Sequence, residues 1–304
     1  MKVLYVLGRG RSGSTIFSNV LGELDGFFSG GEIRYLWDPI VVQRSTCGCG
    51  RPIAACSVWS HVLAKVGDLD LEQVIAWQHE IVREHQTYRI LRHPRRGLKR
   101  ALNGFAEVMN RVYVALAEVT GARVIVDSSK RPSYAAFLES MDSLVPHYVH
   151  LVREPRASAY SWRHRNYDSA QGGGRKVTQR NAFDATLRWD LLNLGSEVVV
   201  RKAGRRAATI RYEDFVAEPT ATVRRVARLL DEDPDHLPFI GERRVRLGTN
   251  HTIAGNPARF RTGVLELEDR SDWRTGQSRS EAWVSTLVAL PFLRRYGYGR
   301  RPTG

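Results

Sequence analysis

The sequence has 304 residues, of which 42% are hydrophobic and 26% are charged. This composition excludes a low-complexity chain, and the length suits one large α/β domain or two small ones. No apolar run approaches the about 18–20 residues that span a bilayer, and the first run is too short for a signal peptide, so we expect a cytoplasmic protein. The net charge of +14 favours anionic partners, although a solvated basic surface would explain the same excess.

Short apolar runs alternate with stretches of helical spacing along the chain. The apolar runs predict strands at 2–7, 123–126, 148–152 and 207–210. Helical spacing and helix-starting prolines predict helices at 14–24, 33–44, 57–66, 71–90, 95–120, from Pro132, from Pro155, and at 178–200, 219–231 and 280–290. Residues 240–278 show no clear period. The alternation predicts one α/β domain spanning 1–304, with a central, mostly parallel sheet flanked by helices as in P-loop NTPases.

Polar segments follow three of the predicted strands. They are residues 8–15, residues 127–130 and the segment that begins at Arg153. In sheets of this kind ligands bind beyond the carboxyl ends of the strands. We therefore expect the three segments to converge on one crevice.

The first segment runs Gly8-Arg9-Gly10-Arg11-Ser12-Gly13-Ser14-Thr15. It nearly matches the nucleotide-triphosphate P-loop, G-x-x-x-x-G-K-S/T, but Ser14 stands at the lysine position and the cation is Arg11. The glycines let backbone N–H groups approach an anion, and the next helix N-terminus adds partial positive charge. The segment therefore predicts an anion site that lacks the lysine with which a P-loop binds the γ-phosphate. The alternative is a turn with a purely structural role.

The segment from Arg153 to Ser161 suits a second phosphate. Arg153 ends a predicted strand, and Ser161 lies about two turns into the following helix, on the same face as Arg165. A strand-end arginine with a serine and an arginine from the next helix can bind one phosphate group. The alternative is that Arg153 forms an ion pair with Glu154 or Asp127.

Together, these two segments resemble the sulfotransferases that use 3′-phosphoadenosine 5′-phosphosulfate (PAPS). Residues 10–15 are similar to the family's 5′-phosphosulfate loop, and residues 151–161 are similar to its 3′-phosphate motif, R-D/E-P with a serine eight residues after the arginine. The resemblance implies that Arg11, Ser12, Gly13, Ser14 and Thr15 hold the 5′-phosphosulfate. It also implies that Arg153 and Ser161 hold the 3′-phosphate, and Arg165 matches a further basic position of the tyrosylprotein branch.

Weaker matches to the same family follow later in the chain. Arg211-Tyr212-Glu213-Asp214-Phe215 resembles its K/R-Y-E-D-L strand exit, which implies that Tyr212 contributes to the nucleotide site. Arg261-Thr262-Gly263 and Asp272-Trp273-Arg274 resemble the segments that close over the nucleotide, which adds Arg261 to the expected site. This chain departs from the pattern at Thr262 and in the spacing between the two segments, and Arg259 is a candidate to compensate.

Sulfuryl transfer needs a base for the acceptor and a cation for the leaving group. Lys130 ends a segment similar to the one that supplies a catalytic lysine in the family, and with Arg11 it would stabilise the leaving phosphate. Glu32 is the candidate base, because Glu32-Ile33-Arg34 matches the end of the tyrosylprotein G-E-E-x-R segment, although Gly31 replaces its first glutamate. His93 is the fallback base. The alternative interpretations are that Lys130 is an ordinary surface lysine and that Glu32 only stabilises a helix N-terminus.

Cys47, Cys49 and Cys56 cluster in a C-x-C-x6-C pattern. An odd count without a secretory signal argues against a disulfide framework. Structural zinc with His61 as the fourth ligand is an option, but a reduced cluster or one labile disulfide is the preferred interpretation. The transfer chemistry itself requires no metal.

The whole pattern predicts transfer of a sulfuryl group from PAPS to a hydroxyl, or less favourably an amine, on a small-molecule or carbohydrate acceptor. Acceptor-binding insertions are expected at 33–120, as a helical region, and at Gly172–Gly174, and residues 240–278 are expected to cover the nucleotide. A P-loop small-molecule kinase and a non-enzymatic nucleotide- or nucleic-acid-binding protein are the alternatives. The basic clusters lack the aromatic platform that single-stranded nucleic acid requires. Acceptor identity and oligomeric state stay open.

Overall fold

The computed structural model describes residues 1–38, 45–83, 85–92, 99–164, 179–269 and 271–299. Its centre is a five-stranded parallel sheet in the order β2-β3-β1-β4-β5. These strands are β1 (Lys2–Leu7), β2 (Phe27–Gly31), β3 (Val124–Lys130), β4 (Val145–Val152) and β5 (Ala207–Arg211). A separate antiparallel hairpin consists of β6 (Arg244–Leu247) and β7 (Gly263–Glu266).

Helices cover both faces of the main sheet, as the βα alternation requires. They are α1 (Ser14–Gly22), α2 (Trp59–Val66), α3 (Leu71–Ile81), α4 (Gln86–Arg92), α5 (Lys99–Thr120), α6 (Pro132–Leu138), α7 (Pro155–His164), α8 (Ala182–Ala203), α9 (Tyr212–Ala217), α10 (Pro219–Leu229), α11 (Trp273–Gly276), α12 (Arg279–Val288) and α13 (Leu290–Arg295). The α/β prediction is confirmed. Within the described residues, no helix is long and apolar enough to cross a bilayer.

The central strand β1 divides the core into two layers. Val3, Tyr5 and Leu7 pack on one face with side chains from α2, α5 and α6. Leu4 and Val6 pack on the other face with side chains from α1, α9 and α10. This two-residue alternation explains why β1 is apolar from Val3 to Leu7, since a parallel strand covered on both faces has no solvent side.

The elements depart from the sequence prediction in four places. Strand β2 was not predicted, and residues 240–278 contain the β6–β7 hairpin where no period was found. The helix predicted over 71–90 is two helices, α3 and α4. The helix predicted over 33–44 is a single 3-10 turn, Ile33–Tyr35, and residues 39–44 lie outside the described residues. Among the described residues of the 33–120 region, the first α-helix begins at Trp59.

Candidate functional site

The carboxyl ends of all five main-sheet strands meet at one edge, and each carries a residue that the sequence singled out. In spatial order these are Glu32 after β2, Lys130 at the end of β3, the glycine loop (residues 8–13) after β1, Arg153 after β4 and Tyr212 after β5. In the β1–β3 pairing Leu7 stands opposite Lys130, so the loop starts level with that strand end. The predicted convergence of three segments is present, and two further strands join it.

The glycine loop turns sharply because Gly8, Arg11 and Gly13 have φ values of 133°, 77° and 83°. A Cβ atom at Gly8 would lie 2.4 Å from the carbonyl oxygen of Leu151, and one at Gly13 would lie 2.1 Å from the Tyr212 ring. Both contacts are too short for any side chain, so space as well as φ requires glycine at these two positions. Tyr212 therefore packs directly against the loop.

Replacing Gly13 with alanine is expected to lower the free energy of unfolding by about 1–3 kcal/mol more than replacing Gly121 with alanine. Both glycines have positive φ, but a Cβ at Gly121 would meet nothing within 4 Å. The two variants therefore share the backbone strain, and only Gly13→Ala adds the collision with Tyr212. Urea denaturation of both variants measures the difference; equal losses would mean that the loop yields around the new methyl group.

The N-terminus of α1 is open to a ligand. The helix begins at Ser14, has no side-chain N-cap and carries no acidic residue in its first turn. Ser12 and Ser14 are buried, and the Ser12 hydroxyl oxygen has no hydrogen-bond partner among the described residues. Helix N–H groups, their partial positive charge and a buried hydroxyl together fit an anion such as phosphate or sulfate.

Arginines stack beside the glycine loop on Trp162 of α7. The guanidinium carbons of Arg9 and Arg11 lie 4.3 Å and 5.0 Å from the Trp162 ring centroid, and the indole N–H donates to the carbonyl of Gly10 at 3.2 Å. Burial, followed by neighbouring arginine charges, lowers the pKa of Arg9 to about 9. A bound anion would offset this crowding of cations.

Arg153 joins the glycine loop to the β5 exit. Its Nη1 donates to the carbonyl of Arg11 at 3.2 Å, and its guanidinium carbon lies 5.0 Å from the Tyr212 ring centroid. The two acids weighed as its partners have other contacts: Glu154 binds Arg156 at 2.6 Å, and Asp127 accepts hydrogen bonds from Ser129 and Tyr113. Arg153 thus faces the loop.

Ser161 is buried in α7, immediately before the tryptophan that contacts the glycine loop. Its contact with a 3′-phosphate beside Arg153 stays a prediction. Arg165, the next predicted contact, lies outside the described residues, as do the fallback base His93 and the predicted Gly172–Gly174 loop.

Glu32 and Lys130 form a direct ion pair. The Lys130 Nζ donates to Glu32 Oε1 at 2.7 Å and to the carbonyl of Ser128 at 3.0 Å. The two side chains are only 14% and 12% exposed, respectively. Lys130 is therefore not a surface lysine, and the carboxylate of Glu32 faces this ammonium group instead of capping a helix.

A buried network fixes the positions of both members of this pair. The backbone N–H of Arg34 donates to the Ser129 hydroxyl at 3.1 Å, and its Nε donates to the Ser129 carbonyl at 3.3 Å. Asp127 accepts from the Ser129 N–H at 2.8 Å and from Tyr113 at 2.6 Å. Burial raises the pKa of Asp127 to about 6. The arginine of the E-x-R segment therefore ties the Glu32 turn to the end of β3.

A distant segment, residues 250–255, closes the site from the other side. Glu32 N–H donates to the carbonyl of Ile253, and Ile253 N–H donates to the carbonyl of Gly30, both at 3.0 Å. A Cβ atom at Gly255 would lie 3.3 Å from Glu32 Oε1 and 3.8 Å from the Thr15 hydroxyl. Glu32 and the start of α1 therefore border the same small space.

Backbone strain concentrates around this space. Among the described residues, four that are not glycine have positive φ: Arg11 at 77°, Lys130 at 71°, Ala254 at 53° and Asp231 at 52°. The first three belong to the loop, the ion pair and the 250–255 segment. Such conformations cost about 1–3 kcal/mol each and persist where the surrounding structure holds them, which is common at functional sites.

The two arginines near residue 260 have different environments. Arg261 is exposed at the end of the 3-10 turn Pro257–Phe260. Arg259 is 1% exposed, and its guanidinium donates to the carbonyls of Gly255 and Thr46. Arg259 is thus committed to holding two loops together and does not replace the basic residue missing at Thr262.

The proposed fourth cysteine-cluster ligand was wrong. His61 is exposed, with Nδ1 2.6 Å from the carbonyl of Ser57. His251 takes the expected place beside the three cysteines. All three thiols are free.

The site also contains residues that sequence reasoning did not select, namely Arg9, Trp162 and the 250–255 segment. A signal existed for Arg9, which is a second arginine inside the glycine loop. Trp162 directly follows the motif serine, but a tryptophan in a helix usually indicates core packing. Nothing in residues 250–255 indicates that they pair with the exit of β2.

These polar residues therefore lie at the carboxyl edge of a parallel sheet, which is the edge where α/β proteins of this kind bind ligands. A model of the sulfotransferase family matches residues 4–236. This match covers well over half of the chain, which therefore belongs to the sulfotransferase family. The family assignment made from the two motifs is confirmed, while the likeness to the tyrosylprotein branch stays a prediction.

The chain is similar to solved structures of sulfotransferase domains. The sulfotransferase domain from the curacin biosynthetic pathway is 18% identical, with 96% of this chain and 97% of that chain covered and a TM-score of 0.53. The sulfotransferase domain from the Synechococcus PCC 7002 olefin synthase is 16% identical, with coverages of 96% and 94% and a TM-score of 0.48. At 18% identity, the match with the curacin-pathway domain supports the fold and not a shared function. No curated protein matches this chain.

Proposed function

We propose that this protein transfers a sulfuryl group from PAPS to a hydroxyl acceptor. One observation supports the proposal: the glycine loop with Arg11, the strand-end Arg153 and the Glu32–Lys130 ion pair lie at adjacent strand ends of one sheet. We infer that the glycine loop and Arg153 each bind one anionic group. A nucleotide with phosphate groups on both its 3′ and 5′ positions would use both anion sites. A nucleoside triphosphate would leave the Arg153 site empty.

The donor nucleotide is expected to lie along the carboxyl edge. The loop N–H groups, Ser12, Ser14, Thr15 and Arg11 hold the 5′-phosphosulfate through the α1 N-terminus. Arg153 and Ser161 hold the 3′-phosphate, with Tyr212 supporting Arg153 from β5. Arg9, stacked on Trp162, adds a further cation to the same edge. Arg261 and the rest of 240–278 remain candidates for covering the nucleotide.

The proposed reaction is an in-line displacement at sulfur. Glu32 accepts the proton of the acceptor hydroxyl as its oxygen forms a bond to sulfur. The bond between sulfur and the bridging oxygen breaks, and its electron pair stays on the 5′-phosphate, where Lys130 and Arg11 stabilise the charge. The products are a sulfate ester and 3′-phosphoadenosine 5′-phosphate (PAP). The step uses no metal.

The acceptor is proposed to enter from the side of Glu32, where the described helices of the 33–120 region pack against one face of the sheet. Gln78 of α3 donates to the carbonyl of Arg34 at 2.6 Å, which joins this helical region to the turn that carries the base. Changes in this region would therefore alter the acceptor without disturbing the nucleotide loop. Small-molecule and carbohydrate hydroxyls are the acceptor classes to be tested.

Calorimetric titration with PAP and with ATP tests the donor assignment. PAP is expected to bind about 10–100-fold more tightly, because charge-assisted hydrogen bonds to its 3′-phosphate contribute about 1.5–3 kcal/mol. Transfer of label from sulfur-labelled PAPS to a panel of hydroxyl acceptors then tests the reaction. Equal affinity for ATP, with phosphate transfer, would favour a kinase instead. Salt-sensitive oligonucleotide binding without turnover would favour a binding protein.

A further inference from the structure

Three cysteines and a histidine meet beside the Glu32 turn. The ligand atoms of Cys47, Cys49, Cys56 and His251 all lie within 4.8 Å of one another. Cys47 and Cys56 are buried, and Cys49 and His251 are half-buried. The histidine is about 200 positions from the cysteines in the chain, so this cluster exists only because the fold assembles it.

The separations among Cys47, Cys56 and His251 are close to those of ligands around one tetrahedral metal ion. Zinc with Zn–S distances of about 2.3 Å and Zn–N distances of about 2.0–2.1 Å sets sulfur–sulfur separations of about 3.8 Å and sulfur–nitrogen separations of about 3.5 Å. Here the sulfurs of Cys47 and Cys56 are 3.5 Å apart, and His251 Nδ1 is 3.2 Å from Cys56 and 3.9 Å from Cys47. The two sulfurs are far beyond the bonding distance of a disulfide, about 2.05 Å.

The backbone around the cysteines is folded as a small ligand-bearing turn. The N–H of Gly50 donates to the carbonyl of Cys47 at 2.8 Å, and the N–H of Cys47 donates to the carbonyl of Arg51 at 2.7 Å. Gly50 has a φ of 82°, which lets the chain reverse between Cys49 and Cys56. The turn brings the thiols of Cys47 and Cys49 close together. Cys56 follows the 3-10 turn Ile53–Ala55 and supplies the third thiol.

A second layer of hydrogen bonds holds the histidine segment against this turn. The buried Trp59 indole donates to the carbonyl of His251 at 2.6 Å, and the N–H of Gly48 donates to the carbonyl of Thr252 at 2.9 Å. A Cβ at Gly48 would lie 2.0 Å from the Asn250 side chain, so the two loops touch there without a gap. Arg259 adds a hydrogen bond to the carbonyl of Thr46. The four ligands are therefore positioned before any metal arrives.

We propose that Cys47, Cys49, Cys56 and His251 bind one structural zinc ion. Three thiolates and one imidazole in tetrahedral positions are a donor set that selects Zn²⁺, and four protein ligands leave no open position for substrate. Binding displaces the thiol protons to solvent and leaves the site with a net charge of −1. The ion is thus a cross-link between residues 45–56 and residues 250–255.

This cross-link stabilises the segment that contacts the base. Ile253, two residues after the ligand His251, exchanges hydrogen bonds with Gly30 and Glu32. Zinc at one end of this short segment would restrict the Glu32 turn at the other. This consequence for turnover rests on the proposed function, whereas zinc binding itself does not.

The test begins with the metal content of the full-length wild-type protein, purified without an affinity tag or chelator from cells grown with added zinc. Elemental analysis by mass spectrometry is expected to find about one zinc per chain. Cys56→Ser and His251→Ala are expected to lose it to background. His61→Ala is the matched control, because this exposed histidine lies five residues from Cys56 but outside the cluster, and its zinc content is expected to equal that of the wild type.

Cobalt provides a readout that needs no variant. Wild-type protein stripped of metal and reloaded with Co²⁺ is expected to show thiolate-to-cobalt charge transfer and the intense visible absorption of tetrahedral cobalt. Absence of both zinc and these bands in the wild type would overturn the proposal, as would a Cys47–Cys56 disulfide found in protein purified without reductant. Zinc content and cobalt spectra do not depend on turnover, so they separate failure of this site from failure of the sulfotransferase assignment.

Discussion

Replacing Glu32 with glutamine is expected to lower the turnover number by about 10²–10⁴-fold, the usual contribution of a positioned general base. The amide keeps the size of the side chain and can still accept the hydrogen bond from Lys130, which is 2.7 Å away in the wild type. What it cannot do is take the acceptor proton. Affinity for PAP, measured by calorimetry, is therefore expected to stay close to that of the wild type.

Glu242→Gln is the matched control for this variant. It removes the same charge from an exposed position, so its turnover is expected to equal that of the wild type. Retained turnover in Glu32→Gln would move the base to another residue, with His93 the first candidate. Loss of PAP binding together with turnover would instead mean that the Glu32–Lys130 pair supports the nucleotide site.

Replacing Arg153 with alanine is expected to weaken PAP binding by about 10–100-fold, because it removes charge-assisted hydrogen bonds contributing about 1.5–3 kcal/mol. Adenosine 5′-monophosphate, which lacks the 3′-phosphate, isolates the cause. Its affinity is expected to change much less than that of PAP between wild type and variant. The ratio of the two losses measures the contact between Arg153 and the 3′-phosphate.

Arg201→Ala tests whether net charge alone explains such a loss. Its side chain is 75% exposed on α8, so the variant removes one positive charge without touching the strand ends. PAP affinity is expected to be unchanged. If Arg153→Ala weakened both nucleotides equally, the arginine would act by holding the glycine loop through its 3.2 Å bond to the carbonyl of Arg11.

Three strands of the main sheet, β1, β3 and β4, are buried along most of their length and contain apolar runs, so they are visible without any alignment. The edge strand β5 is half-buried, and its short Ala-Ala-Thr-Ile run gives a weaker signal. The glycine loop and the Arg153 segment are equally visible, since their chemistry follows directly after those strands. Their convergence then follows from the rule that parallel strands present their carboxyl ends at one edge.

Strand β2 was not visible because its sequence, Phe-Phe-Ser-Gly-Gly, lacks the pattern of a strand. Its two glycines have low strand propensity, and Gly31 adopts a φ of 77°. The residue is needed there because a Cβ would lie 2.5 Å from the carbonyl of Ile253. Tertiary contact with a distant segment, and not local propensity, determines this strand, so Glu32 could be selected only by likeness to a motif.

His251 illustrates a different limit. Cysteines close together in sequence indicate that they could bind one metal ion together. Nothing in the sequence indicates that a histidine in a distant loop lies beside them. His61 was the natural choice because it is near in sequence, yet its position at the start of α2 directs it to the carbonyl of Ser57. Contacts between residues far apart in the chain depend on how loops pack, so the spacing of residues in the sequence does not predict them.

The ion pair between Lys130 and Glu32 has a consequence for the order of substrate addition. The ammonium group of Lys130 is paired with the carboxylate of Glu32, which is the base in the proposed reaction. When the donor nucleotide binds, its leaving oxygen would attract the Lys130 ammonium group. The Glu32 carboxylate would then become available to the acceptor, but only after the donor has bound. The expected kinetic scheme is therefore sequential and ordered, with the nucleotide binding first. An acceptor that binds before the nucleotide is expected to form a dead-end complex.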